Sequence, residues 1–325
     1  MAAPQEMSDE SVAAAGPSGS SRRTVAWAYA AVATTISMWG YSAVAIKMLS
    51  SDGLVVAFYR LWFAIPLLWL SALVVPSMRR RLGRKWFFGC LVGGAFFGLH
   101  QILFFNAIKM TSVANVTIIG ALQPVLVLLV AGPMFGEYLR RAAAGWAVVA
   151  LAGTGLVVVG SAGAPEVSPM GDLLAFGNLF AFTGYFLVSR RVRAHVGPWE
   201  YVVGMTTVSG LVITTTVAVV QPDLGSPAGW DWLVLLTLAV FPGTIGHVLT
   251  NWAHAHVAAF SISMMFLAAP IVSSASALAF LGETVNGMQI VGGLIVLVAI
   301  GATVAQAGES TGGELAESAA ETDAP

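Results

Sequence analysis

The chain has 325 residues, of which 57% are hydrophobic and 10% charged, with a net charge of −1 and a mean hydropathy of +0.82. Soluble domains carry charge at about a quarter of their positions, so an aqueous globular protein is excluded. A single cysteine, Cys90, lies inside an apolar segment, which excludes an intramolecular disulfide.

In chain order, residues 1–24 read as a disordered cytoplasmic tail rich in Ala, Ser, Gly and Pro, without a basic-plus-apolar signal pattern. Arg22-Arg23 superficially suggests a twin-arginine signal. The long apolar run behind it has no small-residue cleavage site, so anchoring positive charge is the better reading. Ten apolar segments follow, at about 25–47, 54–75, 86–108, 112–132, 142–161, 170–189, 199–220, 231–251, 257–280 and 286–305. Each approaches the roughly 20 residues that cross a bilayer. Turn residues or charges separate most of them, and the boundaries near 109 and 255 are the weakest. An acidic tail, 306–325, contains Glu309, Glu314, Glu317, Glu321 and Asp323 and is expected to be unstructured.

Charge fixes the orientation. Of the 15 Lys and Arg residues, all but Lys47, Arg60 and Lys109 fall on one side of a ten-span topology. The opposite loops hold Asp52, Glu166, Asp172, Asp223 and Asp231. Positive charge stays cytoplasmic, so the pattern predicts a multi-pass plasma-membrane protein with both termini in the cytoplasm.

The chain also repeats. Pro270 lies 146 residues after Pro124, and at that offset Gly136-Glu137 meets Gly282-Glu283, Trp39 meets Tyr185, Leu103 meets Leu249 and Ala107 meets Ala253. The halves, 25–161 and 170–305, hold five spans each, and an odd number inserts them with opposite orientation. The expected fold is an all-α integral membrane protein of about ten helices, two inverted five-helix repeats around a central cavity. Inverted repeats commonly place a transporter's binding site near the midplane. The bland alternative is a duplication with no transport.

Trp39-Gly40 in the first span, Arg60 in the second, and the Pro-x₁₂-Glu runs ending in Gly-Glu after Pro124 and Pro270 resemble the drug/metabolite transporter superfamily, in particular its EamA-type permeases. The resemblance covers nearly everything between the tails. It implies ten helices in two inverted halves and transport of amino acids, metabolites, nucleotide sugars or drugs. Gln123 before Pro124 departs from the small apolar residue usual there.

Polar groups inside apolar spans are costly unless paired or facing water, so each is a candidate. His100 and Gln101 lie midway along the third span, where the repeat aligns them with Gly246 and His247. They converge on the cavity or serve as interhelical glue. His247 and Asn251 share a face of the eighth helix with His254, and their spacing does not favour a metal site. Trp39 and Tyr185 sandwich a substrate or pack. Arg60 either attracts a carboxylate or phosphate or snorkels toward Asp52, with the structural role favoured; snorkelling also explains Lys47. Glu137 and Glu283 are gate or capping candidates, and Pro124 and Pro270 allow kinks. Glycines at 89, 93, 94 and 98 permit close packing of the third helix.

The leading function is a secondary transporter of small metabolites, an exporter working by alternating access. No Walker-type run supplies ATP drive. The substrate and the bilayer are the expected partners, with coupling protons and a second copy of the chain as further candidates. No cofactor, metal or nucleic acid is expected. The alternative is a membrane-embedded enzyme acting on a lipid-linked substrate, with His100 or His247 as base; it lacks a clustered catalytic set. A receptor or scaffold has little tail surface to use.

Overall fold

A computed structural model describes residues 22–74, 84–111, 113–135, 141–161, 168–225, 227, 229–281 and 285–322. Apolar runs too long to end inside a bilayer become helices there, because only internal hydrogen bonding satisfies the backbone in hydrocarbon. In order they are α1 (Arg22–Met48), α2 (Gly53–Val74), α3 (Arg84–Met110), a broken α4 (Val113–Gly120 and Gln123–Phe135), α5 (Arg141–Ser161), α6 (Pro169–Val192) and α7 (Pro198–Val220). Next come α8 (Gly229–Val240 and Gly246–Ala253, joined by a π-turn at Phe241–Ile245) and α9 (Ala259–Met265 and Ala269–Leu281, joined by a 3₁₀ turn at Phe266–Ala268). The last is α10 (Gly287–Thr322). Among the described residues eight helices are long and apolar enough to cross a membrane unaided. The polar-dotted α1 and the broken α4 bring the bundle to about ten.

The helices pair as the repeat requires. α5 packs on α10, α2 on α7, and the second part of α4 on the first part of α9, each pair joining equivalent helices. α1 packs against α8 and α9, while α6 packs against their counterparts α3 and α4. The breaks correspond too: Ala121-Leu122 in α4 and Leu267-Ala268 in α9 stand 146 residues apart, each followed within two residues by the repeated proline. The glycines of α3 work as expected. A Cβ on Gly94 would come within 2.6 Å of Val208 Cβ in α7, so only glycine permits this approach.

Two cations repeat the same contact at opposite ends. Lys47, at the end of α1, donates from Nζ to the carbonyls of Ile108 (3.1 Å) and Thr111 (3.3 Å), where α3 ends. Arg193, 146 residues later at the end of α6, donates from Nε to the Asn251 carbonyl at 2.8 Å, in the last turn of α8. Arg190 adds a bond to the carbonyl of His254. Helix carboxyl ends leave orphan carbonyls and partial negative charge, which cations complete. Lys47 is thus a helix cap and does not snorkel.

The acidic tail differs from expectation. α10 runs on through it to Thr322. Alanine and glutamate are strong helix formers, and the tail holds no proline before residue 325 to interrupt the turn inherited from the span.

Candidate functional site

Proline at position 242 shapes the centre of the bundle. It has no N–H, so the carbonyl of Leu238 loses its helical partner. The π-turn displaces the ladder further, with the Gly246 N–H bonding the Phe241 carbonyl. Two side chains from other helices bond to carbonyls of this segment. Arg60 of α2 donates Nε to the Leu238 carbonyl at 3.2 Å, and Trp39 of α1 donates Nε1 to the Pro242 carbonyl at 3.1 Å. Gly243 makes room: a Cβ there would stand 3.1 Å from both Nε and Nη2 of Arg60.

These anchors line a cavity of about 190 Å³ between the two halves. Trp39, Arg60, His100, Gln101, Pro124, His247 and Pro270, all singled out above, lie in its wall. The lining runs from Ile36 to Ile46 in α1, from His100 to Ile108 in α3 and from Val116 to Pro124 in α4. Those stretches place it from mid-bilayer toward the face opposite the termini. Below it, on the terminal side, Phe186, Phe260 and Met264 are fully buried and close the bundle.

Aromatic rings make most of the wall. Trp39 stacks 5.0 Å from His247 and 5.1 Å from Phe266, and Phe182 lies 4.8 Å from His100. Both imidazoles are oriented from behind. His100 Nδ1 donates to Asn178 Oδ1 at 2.6 Å, an atom that can only accept, so its Nε2 is a free acceptor. Asn251 Nδ2 donates to Tyr185 Oη at 3.0 Å and to the His247 carbonyl at 2.8 Å. Tyr185 Oη and His247 Nδ1 share a hydrogen bond at 3.1 Å.

Three expectations therefore change. Tyr185 and Asn251 do not reach the cavity; both are buried behind His247, because polar groups in a span can satisfy one another as well as water. Arg60 does not snorkel toward Asp52. It is 5% exposed, gives Nη1 to Gln101 Oε1 and stands 5.5 Å over the Phe105 ring. Glu137 and Glu283 lie outside the described residues. Sequence reasoning missed Asn178, Phe182 and Phe266; only Asn178, a polar residue within an apolar run, carried a signal.

The profile of the EamA-like transporter family matches twice, over residues 26–159 and 169–305. The chain belongs to the EamA-like transporter family. The doubled match coincides with the two halves read from the 146-residue offset. An aromatic amino acid exporter, YddG of Ancylobacter novellus, is 31% identical over 163 residues, which is 49% of this EamA-like chain and 54% of that relative. The chain thus spans about half the length of that curated relative in the match. A solved crystal structure shares the fold, with a TM-score of 0.71 at 21% identity, covering 86% of this chain and 98% of the other. This is a multi-pass membrane protein of a small-molecule transporter family.

His254, just beyond α8, gives a pH prediction. It is buried against Phe186 with Nδ1 unpartnered, and burial, then Arg190 and Arg193, hold its pKa well below the ordinary 6.5. Below about pH 6.5 the unfolded chain therefore takes up a proton that the folded chain refuses. Its stability contribution is intact above that value and falls as pH drops, by up to about 1.4 kcal/mol per pH unit. Thermal unfolding in detergent at about pH 7.5 and 5.5 should show a smaller drop for His254→Gln than for the parent. Equal drops would remove His254 from the account.

Proposed function

We propose that this chain is a secondary carrier, not an enzyme, that exports small amphipathic metabolites such as aromatic amino acids by alternating access. It acts from the plasma membrane with both termini cytoplasmic. The supporting observation is the cavity itself: an aromatic wall with a few fixed polar groups, between two repeats, closed on the terminal side. Such a chamber suits a ligand with an apolar body and a polar head. The family match and the exporter named above agree with this reading. Rocking of the repeats about the midplane would open the chamber to each face in turn.

Counterflow tests it. Purified full-length protein in liposomes preloaded with unlabelled phenylalanine should accumulate labelled phenylalanine faster than empty-loaded vesicles. Acceleration by substrate on the far side marks a carrier. Flux equal to that of protein-free vesicles, across a panel of aromatic and aliphatic amino acids, would overturn the proposal.

A further inference from the structure

The cavity holds a cation without a counter-ion. Arg60 is buried at bilayer depth, and both of its bonds go to neutral oxygens, the Leu238 carbonyl and Gln101 Oε1. Among the described residues no carboxylate pairs with it, and none lines the cavity. A second donor stands in the same wall without an acceptor: Gln123 Nε2, whose residue is 3% exposed. His247, held by Tyr185 at Nδ1, lines the same wall. A buried guanidinium without a counter-ion and a buried amide donor without an acceptor are both costly, and an anion in the cavity would supply what each lacks. That anion has at least two acceptor atoms.

We infer that Arg60 and Gln123 form a carboxylate anchor, so that this carrier takes anionic or zwitterionic substrates with an aromatic or apolar body and rejects their amides and amines. The inference rests on the transport reading for the cavity and assigns it a charge preference. Arg60 is fit for this because its guanidinium is already held in place. Nε is spent on the Leu238 carbonyl and Nη1 on Gln101, and Nη2 is the nitrogen without a hydrogen bond to either. Guanidinium matches a carboxylate in the plane of its fork, where lysine offers only a point charge. The rings of Trp39, Phe182 and Phe266 receive the apolar body. The ammonium of an amino acid finds no counter-charge among the described lining residues, so it is dispensable.

The test uses full-length protein and four probes of one shape: 3-phenylpropionate, phenylalanine, phenylalaninamide and phenethylamine. Binding is read from thermal stabilisation in detergent, and flux from competition with labelled phenylalanine in liposomes. The two acids should bind and compete, with the amide and amine at least about thirtyfold weaker, the penalty of an unpaired buried charge. Arg60→Gln should erase that preference. Should Arg60→Gln fail to fold, Gln123→Glu places a carboxylate in the wall, where it becomes the counter-ion of Arg60, and should erase the preference for the acids. Acids that bind but do not move would sink the transport reading and leave the anchor standing. An amide or amine as good as the acids, or an order unchanged in Gln123→Glu, overturns the anchor.

Discussion

Replacing His247 by alanine should cut transport by about tenfold or more while leaving protein level and membrane insertion intact. The figure follows from removing one hydrogen bond from a site where its partner is then left unsatisfied, at about 1–3 kcal/mol, or roughly a factor of ten per 1.4 kcal/mol. Alanine also strips a ring from the wall, since His247 packs 5.0 Å from Trp39 and 4.6 Å from Phe97. Glutamine separates two roles. It keeps hydrogen bonding but does not titrate, so flux that survives in His247→Gln without its pH dependence marks a proton relay. Flux and pH dependence both retained would confine His247 to binding. Tyr185→Phe is the control from behind: it frees Nδ1 without touching the cavity and should reduce flux less than alanine does. Wild-type flux in His247→Ala would remove it from the mechanism.

The parts of this fold that were legible in the sequence are those governed by length and charge. Runs near 20 residues and the one-sided placement of arginines are bilayer constraints, and they act on composition alone. The repeat was legible because Pro124 and Pro270 break their helices in the same way, and a broken helix constrains residue type. The site was legible in its midspan histidines but not in its rotation. Asn251 was placed correctly on the stripe of His247, yet the stripe points toward Tyr185. A sequence shows which residues share a face, and only packing shows what that face meets. The snorkelling alternative for Arg60 fails for a related reason. Its carbonyl partner belongs to Leu238, 178 residues away, and becomes available only because Pro242 lacks an N–H. A proline inside a span signals an orphan carbonyl four residues back, and that donor search begins from the proline. Phe182 and Phe266 left no trace, since an aromatic ring facing a cavity and one facing a neighbour read alike.

Arg193 and Lys47 should act as latches on opposite faces, and removing them should have opposite effects. Each joins the end of one helix to the carboxyl end of another, Arg193 to α8 beside the termini and Lys47 to α3 on the far face. Burial pushes the Arg193 guanidinium down to about 10, while Glu200 at the start of α7 counters it, so the group stays charged at neutral pH. A charged hydrogen bond of this kind contributes about 1.5–3 kcal/mol. That is enough to move a two-state equilibrium by more than tenfold, provided the bond exists in one state only. The alternating access proposed above requires that the terminal-side closure open, and the Arg193 contact ties α6, which carries Phe186 of that closure, to the end of α8. Arg193→Gln should therefore favour opening toward the termini, and Lys47→Gln opening toward the far face. A Ser263→Cys reporter in the cavity wall, in a Cys90→Ala background, makes the difference measurable with a membrane-impermeant thiol reagent. In sealed vesicles of known orientation, labelling from the terminal side should rise in Arg193→Gln and fall in Lys47→Gln. Substitutions that change labelling from the same face, or leave both faces unchanged, would reduce the pair to helix caps that move with the bundle.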